Sequence, residues 1–187
     1  LREAGLEVLE VREPGGTPLG ERLRAVLLDP ETGEIDVRTE MLLYMASRAE
    51  LVASRIRPTL ERGACVLADR FVSSTLAYQG AAGGLDQAAI RDAARAACGE
   101  VTPDLVAIFD VDESTAAGRM GLLRDRMEAR GSEYHAAVRR GYHEQAEAEP
   151  ETHVLIDAAR SLDHVFADFL GVLGARFGNL GGQSNSS

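Results

Sequence analysis

The stretch ACVLADRFVSSTLAYQG, over Ala64–Gly80, decides the fold class because it joins an apolar run to a row of polar side chains. The apolar part, Ala64–Ala68, has no polar face, which is typical of a parallel strand covered on both sides. Three more stretches predict buried strands: Leu6–Val11, Leu105–Val111 and His153–Ile156. The chain therefore contributes at least four short strands to its core.

Helical patterns separate these strands. The clearest covers Val37–Arg62, where apolar residues recur every three or four positions. Further helices are predicted over Gly20–Leu28, Asp86–Cys98, Ser114–Met120, Glu133–Glu147 and Ser161–Phe177. This alternation predicts one α/β domain over residues 1–177, with a parallel sheet flanked by helices. The last ten residues, 178–187, are Gly, Asn and Ser with little to bury, and they predict a disordered tail.

Composition excludes several classes of function. The 187 residues are 45% hydrophobic and carry a formal charge of −10, which predicts a globular acidic domain without nucleic acid as a partner. No apolar run approaches the roughly 20 residues of a membrane span, so we expect a cytoplasmic protein that does not bind membranes. Cys65 and Cys98 lie in apolar surroundings and are interpreted as buried thiols.

Polar side chains follow two of the predicted strands where each one ends. Glu13 precedes Pro14-Gly15-Gly16, and Asp69 precedes Arg70. Open α/β sheets bind ligands at the carboxyl ends of their strands, where an arginine can grip a phosphate. Taken alone, these residues also fit a plain strand-to-helix turn and an Asp–Arg ion pair followed by a capping serine.

Two further groups suggest a bound nucleotide. Tyr44 and Arg48 lie one helical turn apart, so a ring and a guanidinium point into the same space and suit a planar base. The alternative is a solvated helix face, opposite an apolar stripe that includes Leu42. Four arginines occur within Arg119–Arg130, which predicts either a mobile flap that meets phosphates or a solvated helix.

In this order, the motifs resemble bacterial thymidylate kinases, which are P-loop nucleoside monophosphate kinases. The resemblance is carried by REPGGTPLG at Arg12–Gly20, YMASR at Tyr44–Arg48, DRFVSSTLAYQG at Asp69–Gly80, PDLVAIFDV at Pro103–Val111 and DRMEARG at Asp125–Gly131. It implies transfer of the γ-phosphate of ATP to dTMP with Mg²⁺, in a homodimer that packs through helices such as Val37–Arg62. No residue is assigned to the metal.

The resemblance also implies a role for individual residues around dTMP. Tyr44 matches an aromatic residue stacked on thymine, and Arg48 matches an arginine that hydrogen-bonds the base. Ser74, Thr75 and Gln79 match polar residues around the base. Tyr78 matches a tyrosine that crowds the ribose 2′ position, and Glu13 matches an acid near the 3′-hydroxyl and the metal.

The residues matched to phosphate chemistry form a second set. Arg70 matches the arginine that holds the dTMP phosphate, and Asp69 is its neighbour near the metal and phosphates. Arg124 and Arg126 lie in the lid, where family arginines approach the transferring phosphates. The lid is shorter than in better-known members, and Ser73 stands where the family commonly has Asp.

One departure bears on activity. The printed sequence has no GxxxxGK[ST] loop and begins at Leu1. We expect about 20–30 preceding residues to carry that loop. We also expect the central first strand of the sheet to be absent from this chain and the chain alone to be inactive. The alternatives are a non-catalytic nucleotide-binding or dimerisation module that has lost the loop, and a kinase for another nucleotide.

Overall fold

The computed structural model describes residues 1–119 and 125–178. All four predicted strands are present: β1 (Val8–Arg12), β2 (Cys65–Asp69), β3 (Val106–Asp110) and β4 (His153–Asp157). β1 pairs with β2, and β3 pairs with β4, both in parallel register. The predicted flap arginine Arg124 and positions 179–187 of the predicted tail lie outside the described residues.

The helices also follow the predicted order. They are α1 (Pro18–Leu28), α2 (Val37–Leu51), α3 (Arg57–Glu61), α4 (Val72–Thr75), α5 (Gln87–Cys98), α6 (Glu113–Arg119), α7 (Ser132–Ala148) and α8 (Leu162–Phe177). Short 3₁₀ turns cover Arg2–Ala4 and Pro30–Thr32. The chain therefore has the predicted α/β class, with parallel strands flanked by helices. None of the helices in the described ranges is long and apolar enough to cross a membrane.

The strands form two separate pairs, which agrees with the expectation that the central strand of the sheet is absent from this chain. Within residues 1–119 and 125–178, no strand is hydrogen-bonded between β2 and β3. The strand faces are correspondingly less covered than their apolar composition predicts, with Leu67 and Phe109 exposed.

The long predicted helix is continuous but not uniform. A π-helical turn, Val52–Ile56, joins α2 to α3 and adds an extra residue to its turn, which shifts the helical phase. Within α2 itself, before this turn, the predicted apolar stripe is also wrong in part. Leu42 is 55% exposed, whereas Leu51, placed on the opposite face by an ideal 100° repeat, is fully buried. Helix α2 is thus buried on more than the single face that the periodicity indicates.

A helix that the sequence pattern did not predict follows β2. Helix α4 continues into a second π-helical segment, Leu76–Ala82, which packs closely against α7. At Gly141 of α7, a Cβ atom would lie 2.5 Å from the Cβ of Ala81, so only glycine allows this approach. The close packing fixes the polar row Ser73–Gln79 beside the end of β2.

Candidate active site

A cavity opens where β1 and β2 end, bordered by α2, α4 and α7. Several of the residues predicted for a nucleotide site line it: Glu13, Tyr44, Arg48, Arg70, Ser74, Thr75, Tyr78 and Gln79. Tyr44 and Arg48 do point into the same space, as their spacing predicts. The structure therefore brings three separate sequence motifs to one cleft.

Arg48 is the buried centre of this cleft. Its side chain is 1% exposed, and its Nη2 lies 2.6 Å from Oε2 of Glu13, which is 3% exposed. Arg48 also donates to Oγ1 of Thr75 at 3.2 Å and lies over the ring of Phe71. A buried ion pair is rigid because separating the two charges would leave one of them without compensation. The solvated-face interpretation of this part of α2 is therefore wrong for Arg48.

Glu13 keeps one acceptor free in this pair. Its Oε1 is buried and has no hydrogen-bond partner within the described ranges. Burial raises the pKa of Glu13 above its ordinary value, and the nearby Arg48 opposes that rise. An unpartnered carboxylate oxygen beside a cavity is suited to accept a hydrogen bond from a ligand hydroxyl.

The glycines after Glu13 let the loop pass close to α2. Gly16 has a φ of 80°, and a Cβ atom there would lie 2.8 Å from Cδ1 of Leu51. The amide of Gly15 donates to Oγ of Ser47 at 3.1 Å, and that of Gly16 donates to Oε1 of Glu21. These contacts tie the loop to α1 and α2, so the Glu13 carboxylate has a fixed position.

Arg70 is held in an unusual backbone conformation. Its φ is 69°, in the left-handed region that non-glycine residues rarely adopt. The guanidinium lies 5.1 Å from the centroid of the Tyr78 ring, and the residue is exposed at the cavity. No carboxylate pairs with it in the described part of the chain, so the Asp–Arg ion pair considered for this dipeptide is not formed. Backbone strain of this kind often marks a functional site.

The polar row after Arg70 is ordered by its neighbours. Oγ of Ser74 lies 2.8 Å from the Tyr142 hydroxyl. Nε2 of Gln79 donates to Oε1 of Glu40 at 2.7 Å. Tyr78 makes edge-on ring contacts with Tyr134 and Tyr142, and burial raises the pKa of both of these tyrosines to about 12. The hydroxyls of Tyr134 and Tyr142 are therefore neutral at physiological pH, and Tyr78 offers a rigid ring to the cavity.

Two residues predicted for phosphate chemistry do not line the cavity. Asp69 is exposed at the end of β2, where its carbonyl accepts from the Glu13 amide at 2.9 Å. Arg126 pairs with Oε2 of Glu40 and donates to the Leu27 carbonyl at 2.8 Å. The buried carboxylate of Glu40 therefore holds the Arg126 guanidinium away from the cavity.

The structure adds one cavity residue and one buried residue next to the cavity that the sequence analysis missed. His135 of α7 lines the cavity, and its Nε2 is buried without a partner in the ranges described. Metal-ligand spacing, the usual sequence signal for a functional histidine, does not detect a single ring that faces a cavity. Glu40, in the first turn of α2, is fully buried, although an acidic residue there normally signals only a favourable helix dipole.

A resident metal cage is not built from the described residues, which contain no group of three His, Cys, Asp or Glu suited to a metal ion. Mg²⁺ in nucleotide enzymes needs only one or two carboxylates from the protein, because substrate phosphates and water supply its other ligands. Glu13, with its unpartnered Oε1, and Asp69, exposed at the adjacent strand end, fit that smaller contribution.

The cleft lies at the carboxyl ends of parallel strands, which is where proteins of the open α/β class bind their ligands. A crystal structure of thymidylate kinase from Ehrlichia chaffeensis is similar to this structure, with a TM-score of 0.72 and 30% identity over 89% of this chain and 80% of that chain. The fold is therefore that of a P-loop nucleoside monophosphate kinase.

The family model for thymidylate kinase matches residues 1–169. Thymidylate kinase from Pseudomonas fluorescens is 47% identical over 171 residues, covering 88% of this chain and 80% of the relative. The enzyme from Deinococcus radiodurans is 44% identical over 179 residues, covering 94% and 86%. The chain belongs to the thymidylate kinase family.

Proposed function

We propose that the cavity binds dTMP and that the protein is the kinase that transfers the γ-phosphate of ATP to it, giving dTDP. The observation that carries this function is the convergence of Arg48, Arg70 and Glu13 on one cavity in a member of the thymidylate kinase family. A non-catalytic module and a kinase for another nucleotide are not favoured by relatives that share the name thymidylate kinase.

The base and sugar of dTMP fit opposite walls of the cavity. Tyr44 supplies a ring for stacking, and Arg48 and Thr75 supply polar groups for the base. The unpartnered Oε1 of Glu13 accepts a hydrogen bond from the 3′-hydroxyl. The Tyr78 ring, held against Tyr134 and Tyr142, occupies the space that a ribose 2′-hydroxyl would need.

Arg70 takes the phosphate of dTMP. Its guanidinium is exposed at the cavity and offers a fork of N–H donors to two phosphate oxygens. Phosphoryl transfer depends mainly on aligning two anionic substrates and neutralising their charge, so this contact bears directly on the rate. Mg²⁺, held by the substrate phosphates with Glu13 and Asp69 nearby, supplies charge neutralisation when bound.

Arg124 stays a proposed contact for the transferring phosphates. Arg126 is engaged by Glu40 and by the Leu27 carbonyl, so this proposal does not assign it a contact with the phosphates. Charge at the reacting phosphates therefore comes from Arg70, from Arg124 and from the metal in this proposal.

We further propose a cytoplasmic homodimer. ATP and nucleoside monophosphates are intracellular substrates, which supports the location. Leu42 of α2 is 55% exposed and Leu60 of α3 is 42% exposed, and more than one exposed leucine on the same long helix supports packing against a second copy.

A substrate panel tests the proposed function. With ATP and Mg²⁺, the complete protein is expected to phosphorylate dTMP at least about tenfold faster, as kcat/KM, than either dCMP or ribothymidine monophosphate, since a wrong base edge and a 2′-hydroxyl each lose contacts. Coupled detection of ADP gives the rates for all three substrates. Equal rates for all three, or a preference for another nucleotide, would reject dTMP as the substrate.

A further inference from the structure

Glu40 is a buried carboxylate that joins the cavity wall to the segment after Asp125. It is fully buried in the first turn of α2. Its Oε1 accepts from Nε2 of Gln79 at 2.7 Å, and its Oε2 accepts from Arg126 and, at 2.8 Å, from Nη2 of Arg130. One carboxylate thus contacts both a residue that lines the cavity and two arginines that do not.

The two arginines stabilise Glu40 as a carboxylate, and this fixes the orientation of the Gln79 amide. Their guanidinium charges compensate the buried negative charge, which would otherwise be costly. An ionised carboxylate only accepts hydrogen bonds, so Gln79 has to turn its NH₂ group towards Glu40. The amide oxygen of Gln79 then faces the other way, and no donor among the described residues bonds to it.

The orientation of this amide decides which base edge it can bind. An amide oxygen accepts a hydrogen bond, and thymine carries an N–H donor at N3. Cytosine has an acceptor at the same position, so two acceptors would oppose each other there. A buried polar group that meets the wrong partner loses its hydrogen bond and its solvation together.

We propose that Glu40 is a positioning residue that fixes the Gln79 amide as an acceptor and so favours pyrimidines with an N3–H over cytosine. The inference rests on the proposed function, because it needs the base of the nucleotide to lie beside Gln79. Glu40 itself touches no substrate. Its effect passes through Gln79, while Arg126 and Arg130 keep its charge compensated.

The substitution Glu40→Gln tests this role through binding, measured by calorimetric titration with dTMP and with dCMP. The amide that this substitution introduces can both donate and accept, so the Gln79 amide becomes free to turn over. The dissociation constant for dCMP divided by that for dTMP is expected to fall about tenfold. This factor corresponds to the net free energy of one hydrogen bond. A purely structural role would weaken the binding of both nucleotides and leave their ratio unchanged.

Arg130→Met is the matched control, because it removes a donor from Oε2 of Glu40 and leaves the bond between Oε1 and Gln79 in place. Its binding ratio is expected to equal that of the wild type. An unchanged ratio in Glu40→Gln, or the same fall in both variants, would overturn the proposal. A wild type that binds neither nucleotide would instead count against the proposed function.

A second measurement needs no variant and covers the case in which Glu40→Gln does not fold. In the wild-type protein, side-chain amide NMR should show slow solvent exchange of the Gln79 NH₂ hydrogens both without and with dTMP, because one is bonded to Glu40 and the whole side chain is buried. Fast exchange of both hydrogens, or a large shift of their resonances when dTMP binds, would show that the NH₂ group faces the base and would overturn the proposal.

Discussion

Arg70→Ala in the complete protein is expected to lower kcat/KM for dTMP phosphorylation by about 10²-fold or more, because it removes a charged donor fork from the reacting phosphates. The fold should survive, because the Arg70 side chain is exposed and pairs with no carboxylate in the described ranges. Alanine also keeps the same left-handed backbone strain, so the loop gains no new freedom. Steady-state kinetics and a thermal melt measure the two effects separately.

Arg70→Lys is the matched control for this prediction. Lysine keeps the positive charge but loses the planar fork, so its kcat/KM should lie between those of the wild type and Arg70→Ala. Wild-type turnover in Arg70→Ala would remove Arg70 from the mechanism. A cooperative melt that disappears in Arg70→Ala would instead assign the residue a structural role.

Arg48→Met is expected to lower the free energy of unfolding by about 3–5 kcal/mol, because it leaves the buried Glu13 carboxylate without its partner. The same change removes the donor to Oγ1 of Thr75 and a group proposed to bind the base. Affinity for dTMP should therefore fall as well. Chemical denaturation measures the first effect and calorimetric titration the second.

The double variant Arg48→Met with Glu13→Gln separates these two effects. A neutral amide at position 13 removes the uncompensated charge, so much of the lost stability should return. Affinity for dTMP should stay low, because both residues that face the nucleotide are changed. Stability that stays equally low in the double variant would show that the ion pair is not the cause.

The sequence was sufficient for the parts of the fold that depend on local pattern. The strands at Cys65–Asp69 and Val106–Asp110 are short apolar runs, and the predicted ranges contain the observed ones to within a residue. The Tyr44–Arg48 pair was found because helical spacing alone puts the two side chains on one face. The site residues on strand ends were found because parallel sheets bind ligands at that edge.

The sequence was insufficient where distant contacts decide. An ideal repeat misplaced Leu42 and Leu51 because Leu51 packs into a cluster with Val52, Ile56 and Cys98, whereas Leu42 stays exposed. Arg126 was expected at the phosphates, but the contact that holds it comes from Glu40, 86 residues away. Glu40 and His135 carry no motif, and only their burial beside the cavity identifies them.

The central claim is that dTMP binds in the cavity between Glu13, Tyr44, Arg48 and Arg70. A crystal structure of the protein with dTMP tests it most directly. We expect the base between Tyr44 and Arg48, the 3′-hydroxyl within hydrogen-bond distance of Oε1 of Glu13, and the phosphate on the guanidinium of Arg70. A nucleotide bound elsewhere on the protein, or a phosphate that makes no contact with Arg70, would contradict this account.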